Sequence, residues 1–306
     1  VLIIGENIHI ISPRVKEAIE ARDAACIQQL ARQQVEAGAG MLDLNIGPQR
    51  KLGHEVMPWM VQAVQDVCDV PLSLDTTNLA AMEAGLEVCR GKAMLNSASA
   101  DPDRLDSVME LAARYGARVI ALTMGVEGIP TTSDGRVAIA MESLLPAAEA
   151  AGVLVEDVFL DPLVLTVTCN QDVAQASVEA IRMFKMVSDP PPTTTVGLSN
   201  ISNGCPADTR PLINRTFLVM LMAAGLDSAI ADPLDTAQME WIRMVESRDD
   251  STPVGRLVLA LYDATAAMDD LDEDLVDPDD NDQVAILKTY RMLHNRVLYA
   301  DSYLRF

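Results

Sequence analysis

The chain has 306 residues, 49% of them hydrophobic, which is enough for a large core in one or two domains. Its 45 acidic residues outnumber the 23 basic ones, and the formal net charge of -22 argues against nucleic acid or anionic lipid as a partner. The longest apolar run, residues 217–226, falls far short of the roughly 20 residues that span a bilayer, so no membrane association is expected. The opening Val1-Leu2-Ile3-Ile4-Gly5-Glu6 reads as a buried strand rather than a leader. Cys26, Cys68, Cys89, Cys169 and Cys205 are scattered without a C-x-x-C pair, as reduced thiols would be. A cytoplasmic protein is expected.

In chain order, short β-rich runs alternate with amphipathic segments. The strand at 2–8 is followed by a helix at 24–37 that Asp23 can cap, and the strand at 41–46 by a helix at 53–67. Strands at 71–77, 93–97 and 118–124 alternate with helices at 79–89, 102–115 and 138–151. Strands at 157–163, 194–200 and 228–232 complete the series, with helices at 173–188 and 211–224 between them. Gly38, Gly116, Gly152 and Gly225 stand where helices need a left-handed residue to close. Eight such alternations predict one α/β domain, a (β/α)8 TIM barrel over residues 1–306. An open doubly wound sheet is disfavoured, since no strand leads into a G-x-G-x-x-G or G-x-x-x-x-G-K-[ST] loop.

The strands begin apolar and end polar. Asn7, Asp43 with Asn45, Asp75, Asn96, Thr123, Asp161, Ser199 with Asn200, and Asp232 lie at or just past C-terminal strand ends. In a barrel these ends converge on the face that carries active sites. Each residue also has a local explanation as a turn former or helix cap, preferred singly for Asn7, Asn45 and Asp232. As a set rich in carboxylates and amides, without a basic cluster, they suit a neutral heterocycle better than a phosphate.

Four motifs stand in register: Leu74-Asp75-Thr76-Thr77-Asn78, Leu95-Asn96-Ser97, Leu160-Asp161-Pro162 and Gly197-Leu198-Ser199-Asn200-Ile201-Ser202. With Pro211-Leu212-Ile213-Asn214-Arg215-Thr216-Phe217 they resemble the pterin-binding methyltransferases, in particular the methyltetrahydrofolate:corrinoid/iron-sulfur protein type. The resemblance covers residues 1–245 and resumes near Val284. It implies methyl transfer between N5 of methyltetrahydrofolate, as substrate, and a corrinoid carried by a partner protein. It also implies a homodimer and no bound metal.

The chemistry of a pterin accounts for the residue types. Its amino-oxo pyrimidine edge presents two donors that a carboxylate such as Asp161 accepts together, and an amide such as Asn96 both donates and accepts. Asp75 can accept a remaining ring N–H; its alternative role is a helix cap. The resemblance assigns Asn200 as the catalytic residue, hydrogen-bonded to N5, because an amine leaves poorly unless its nitrogen is protonated or strongly hydrogen-bonded. Asp43, Gly197, Ser199, Asn203 and Arg210 complete the implied folate site. Three departures from the family are visible: Asn7 replaces an arginine after Gly5-Glu6, Asn203 a glutamine, and the loop before Arg210 is longer.

Residues 246–283 form an insertion with no counterpart in the family. A helix is expected over 255–268, then a solvated loop over 269–282 with nine acidic residues among fourteen, then a closing helix over 284–298. Asp270, Asp272 and Asp274 imitate the start of a calcium loop, but Leu275 replaces its glycine. The three histidines, His9, His54 and His294, have no ligand spacing. Dihydropteroate synthase shares the expected fold and substrate type, yet Ser199-Asn200-Ile201 stands where it needs basic residues. A non-catalytic folate-binding protein is the other alternative.

Overall fold

The computed structural model describes residues 1–304. Eight parallel strands, β1 (Leu2–His9), β2 (Met41–Asn45), β3 (Leu72–Asp75), β4 (Met94–Ser99), β5 (Arg118–Leu122), β6 (Val158–Asp161), β7 (Thr193–Gly197) and β8 (Ser228–Ala231), pair in chain order. Pairing of β1 with β8 through Leu2↔Ser228 and Ile4↔Ile230 closes the barrel. Helices α1 (Pro13–Ala21) and α2 (Ala24–Glu36) follow β1, and α3 (Gly53–Gln65), α4 (Leu79–Val88) and α5 (Pro102–Tyr115) follow the next three strands. After β5 come α6 (Ser133–Ile139), a π-helical turn over Ala140–Leu144, and α7 (Leu145–Ala151). Then α8 (Val167–Asn170) and α9 (Ala174–Phe184) follow β6, α10 (Arg210–Ala223) follows β7, and α11 (Thr236–Ser247), α12 (Pro253–Ala267) and α13 (Asn281–Leu293) follow β8.

The main core lies between strands and helices. Leu42, Leu44, Leu72, Leu74, Val119 and Ala121 face outward from β2, β3 and β5 and are buried among helix residues such as Met60, Val64, Met82 and Met109. Each such large apolar side chain contributes about 1.5–3 kcal/mol on burial. Packing is close enough that a Cβ on Gly85 of α4 would stand 2.6 Å from Met57 Cγ. Inside the barrel a second, smaller cluster of Ile4, Met41, Met94, Ile120 and Phe159 fills the N-terminal half.

The expected strands and their order are all present. Asp23 caps α2 by accepting from Cys26 N, and Gly38, Gly116, Gly152 and Gly225 all have positive φ, as a helix closure requires. Several boundaries differ. β7 stops at Gly197, and Leu198–Ser202 winds into a 3-10 turn because Leu198 and Ile201 bury themselves beneath it. The helix expected over 138–151 starts at Ser133, where Thr132 Oγ1 accepts from Gly135 N at 3.2 Å. The final helix begins at Asn281, capped by Asp280, and ends at Leu293. Helices α1 and α11 have no counterpart in the sequence reading; α1 buries only Val15, Ala18 and Ile19.

The acidic segment is less free than expected. Leu271 is buried and its N–H donates to Tyr290 Oη at 3.0 Å, while Glu273 pairs with Arg291 and Asp270 with Arg296. Asp272 and Asp280 cap local turns, so part of the charge is spent on fastening the segment to α13. The other acidic side chains face solvent.

Candidate functional site

Strand alternation builds the site. Ile4, Met41, Met94 and Phe159 point into the barrel, so two residues further along the same faces stand Glu6, Asp43, Asn96 and Asp161. The same alternation in β3 places Asp75 two residues beyond Ser73. The barrel interior is therefore apolar at its N-terminal end and carboxylate- and amide-rich at its C-terminal mouth.

On the β2–β4 side the polar groups form one network. Asp43 Oδ1 accepts from Ser73 Oγ at 2.6 Å and from Asn96 Nδ2 at 3.1 Å. Asn45 Nδ2 donates to Asp75 Oδ2, while Asn45 Oδ1 accepts from Gly47 N at 3.0 Å. Burial raises the pKa of both Asp43 and Asp75, and the neighbouring Asp43 charge raises Asp75 further. Asp75 is not a helix cap, because Asn78 takes that role for α4. Asn45 is more than a local turn former, since it ties Asp75 in place. Arg104 secures the floor of this side by donating to the carbonyls of Ser97 at 2.6 Å and Thr77 at 3.0 Å.

Across the mouth, Asp161 is 6% exposed, and its Oδ1 accepts from Leu163 N at 2.7 Å. The local turn thus engages one oxygen. Burial lifts its pKa to about 7 against the pull of that N–H and of the Arg136 guanidinium. Arg136 is itself fully buried, donating to Pro130 O at 3.1 Å and Ser177 Oγ at 3.0 Å. Thr123 Oγ1 donates to the Asp161 carbonyl at 3.0 Å.

The turn after β7 carries the remaining group. Asn200 is exposed, and a Cβ on Gly197 would stand 2.9 Å from its Nδ2, so the missing side chain at Gly197 makes room for that amide. Ser199 Oγ donates to Glu6 Oε1 at 2.7 Å, and Arg210 Nε donates to Ser202 Oγ at 3.3 Å. Asn203 is exposed, and its carbonyl accepts from the Thr166 and Thr168 hydroxyls.

The residues singled out in sequence fall into three groups on this face. Asp43, Asp75 and Asn96 are joined by hydrogen bonds or charge, Asp161 stands apart with Arg136, and Gly197, Ser199, Asn200, Asn203 and Arg210 belong to the β7 turn and the start of α10. Asn7 is neither a turn former nor a cap: its backbone N–H donates to Gln34 Oε1 at 2.9 Å on α2, and its side-chain oxygen is buried without a hydrogen-bond partner. Asp232 does act locally, accepting from Leu234 N at 2.9 Å in its own turn. Sequence reasoning passed over Glu6, Arg104 and Arg136. Glu6 left a signal, a carboxylate two residues after Ile4 on an inward face; the two arginines lie on helices and left none.

Carboxylates and amides at the mouth of a closed parallel barrel form a donor and acceptor set suited to a flat, neutral, nitrogen-rich ring, and the chain belongs to the pterin-binding enzyme family, whose model matches residues 12–232. Within that family it is 31% identical over 243 residues to the methylcorrinoid:tetrahydrofolate methyltransferase of Eubacterium limosum, covering 78% of this chain and 87% of the relative. It is 32% identical over 240 residues to the methionine synthase of Mycobacterium leprae, covering 75% of this chain but only 20% of that much longer protein. Among solved structures, Yersinia pestis dihydropteroate synthase with a pterine-sulfa conjugate aligns with a TM-score of 0.57 at 18% identity, over 80% of this chain and 93% of that one. Thermus thermophilus dihydropteroate synthase aligns with a TM-score of 0.55 at 20% identity, over 79% and 92%. At such identities the likeness is one of fold.

Proposed function

We propose that this protein transfers a methyl group between N5 of methyltetrahydrofolate and the cobalt of a corrinoid carried by a partner protein. The observation that carries the reading is the arrangement of Asp75, Asn96 and Asp161 around the mouth with the Asn200 amide exposed above Gly197. The similarity to the Eubacterium relative over most of both chains supports the choice of methyl as cargo.

Asp161 accepts the paired donors of the pyrimidine edge, for which it must be ionised. A bound pterin therefore draws its pKa below about 7. Asn96, steadied by Asp43, donates and accepts beside that edge, and Asp75 meets the remaining ring N–H. The Asn200 amide hydrogen-bonds N5 and strengthens that contact as the N–methyl bond lengthens. Ser199 and Gly197 shape the turn that presents it, and Asn203 and Arg210 border the folate. The corrinoid supplies the reduced cobalt that takes the methyl group. A homodimer in the cytoplasm, with both barrel mouths free for the partner protein, belongs to the same proposal.

The test is to mix the protein with methyltetrahydrofolate and free cob(I)alamin and follow methylcobalamin formation. Saturable, protein-dependent transfer is expected. Tight folate binding without transfer would leave a folate-binding protein instead.

A further inference from the structure

The proposed reaction needs a proton. As the N5–methyl bond breaks, the methyl carbon bonds to cobalt using the electron pair of the reduced metal, and the pair left on N5 must be protonated. An amide such as Asn200 orients and polarises but does not give up a proton near neutrality. Asp43 is engaged by Ser73 and Asn96, Asp75 by Asn45, and Asp161 by Leu163 N; none of these partners lies on the turn that presents Asn200. Glu6 differs, because it accepts from Ser199 Oγ at 2.7 Å, from the residue next to Asn200. Glu6 and Ser199 also line a cavity of about 510 Å³ whose rim includes the exposed Ala207 and Leu234, an aqueous route by which the carboxyl can exchange protons.

We propose that Glu6, acting through the Ser199 hydroxyl, holds the proton that N5 gains, a role that rests on the methyl-transfer reading above. A serine hydroxyl accepts from a carboxylic acid on one side while donating on the other, so protonation of Glu6 turns the observed bond around and directs the Ser199 hydrogen toward the folate side of the turn. Delivery leaves Glu6 as carboxylate and N5 as N–H; in the reverse transfer, from methylcorrinoid to tetrahydrofolate, Glu6 receives the proton. Four groups face Glu6: Ser199 after β7 and Arg210 on α10, which favour its carboxylate, and Asp232 after β8 and Asp43 on β2, which oppose it. Burial outweighs them all and places its pKa at about 7, so that near neutrality the carboxyl can both give up a proton and regain one. Glu6 touches no substrate atom in this scheme and is a positioning residue for the proton.

The experiment is single-turnover methyl transfer to cob(I)alamin at saturating methyltetrahydrofolate, across about two pH units either side of neutrality, for wild type, Glu6→Gln, Glu6→Asp and Ser199→Ala. Wild type should slow as pH rises through about 7. Glu6→Gln and Ser199→Ala should lose that limb and run about 10- to 100-fold slower at low pH while still binding folate, and Glu6→Asp should restore a limb at a displaced midpoint. Difference infrared spectra give a readout independent of transfer: a carboxyl band titrating near neutrality should be absent from Glu6→Gln. Wild-type transfer with the same limb retained in Glu6→Gln overturns the proposal alone, as does a wild-type spectrum without a Glu6 band. A wild type that binds folate yet moves no methyl at any pH overturns the methyl-transfer reading, and the proposal with it.

Discussion

Asp161→Asn separates the cost of the site from its use. With Asp161 6% exposed and its pKa near 7, the folded protein holds this carboxylate about three units above its ordinary value. A raised carboxyl pKa means that the fold favours the protonated form. Its stabilising contribution is thus complete below the unfolded-state value near 4 and is lost as pH rises through about 7. At about 1.4 kcal/mol per unit, wild type gives up about 2–3 kcal/mol through this residue between pH 5 and pH 8, an order-of-magnitude figure. The asparagine variant keeps an oxygen for Leu163 N and has nothing to ionise, so the stability gap between variant and wild type should widen by that amount over the same interval. Urea denaturation of the ligand-free protein at both pH values measures it. Calorimetric titration should show the opposite for methyltetrahydrofolate, with affinity weakened by about 1–3 kcal/mol, or about 5- to 150-fold, because one good acceptor is gone. A gap that does not change with pH would show that burial does not hold Asp161 above its ordinary value and that its ionised form costs the fold nothing.

Gly197→Ala meets no backbone obstacle at φ -81, but its Cβ would stand 2.9 Å from Asn200 Nδ2, so it should slow methyl transfer at least about 10-fold with little change in thermal stability. Replacing the solvent-facing Asp274, Asp279 and Asp282 by Asn should slow transfer to the protein partner at low salt and leave transfer to free cobalamin unchanged, because an acidic run steers a basic surface only at long range; identical rates with the partner would end that role. Losing the charge of Glu273, whose ion pairs with Arg291 and Arg296 are half-buried, should lower stability by about 1 kcal/mol or less in chemical denaturation.

The barrel was legible because its signal repeats. Short apolar strands with polar residues at or just past their C-terminal ends recur eight times, so an error at one boundary does not disturb the topology. The ends themselves were less legible: β7 reads as continuing to Asn200, and only the burial of Leu198 and Ile201 in three dimensions turns the chain at Gly197. Helix α11 had a readable pattern, with Asp235 at its cap and Trp241, Ile242 and Val245 on one face. Asp75, Asn96 and Asp161, the residues proposed to meet the ring edge, announced themselves through short motifs, whereas their supports did not. Asn45 holding Asp75, and Arg136 buried beside Asp161, depend on which strands and helices become neighbours, a fact that no local window contains. The acidic run looked free because composition shows charge, and its fastening to Arg291 and Arg296 appears only once α13 is in place.

If the Asn200 amide acts on the bond that breaks, removing it should slow chemistry rather than binding. Stopped-flow single turnovers of Asn200→Ala with cob(I)alamin, at methyltetrahydrofolate concentrations that saturate the variant, test it most directly, since they follow chemistry apart from binding and product release. The rate should fall about 10- to 1000-fold below wild type with a much smaller change in folate affinity, because the contact strengthens only toward the transition state. A variant that transfers methyl at the wild-type rate once saturated would contradict it.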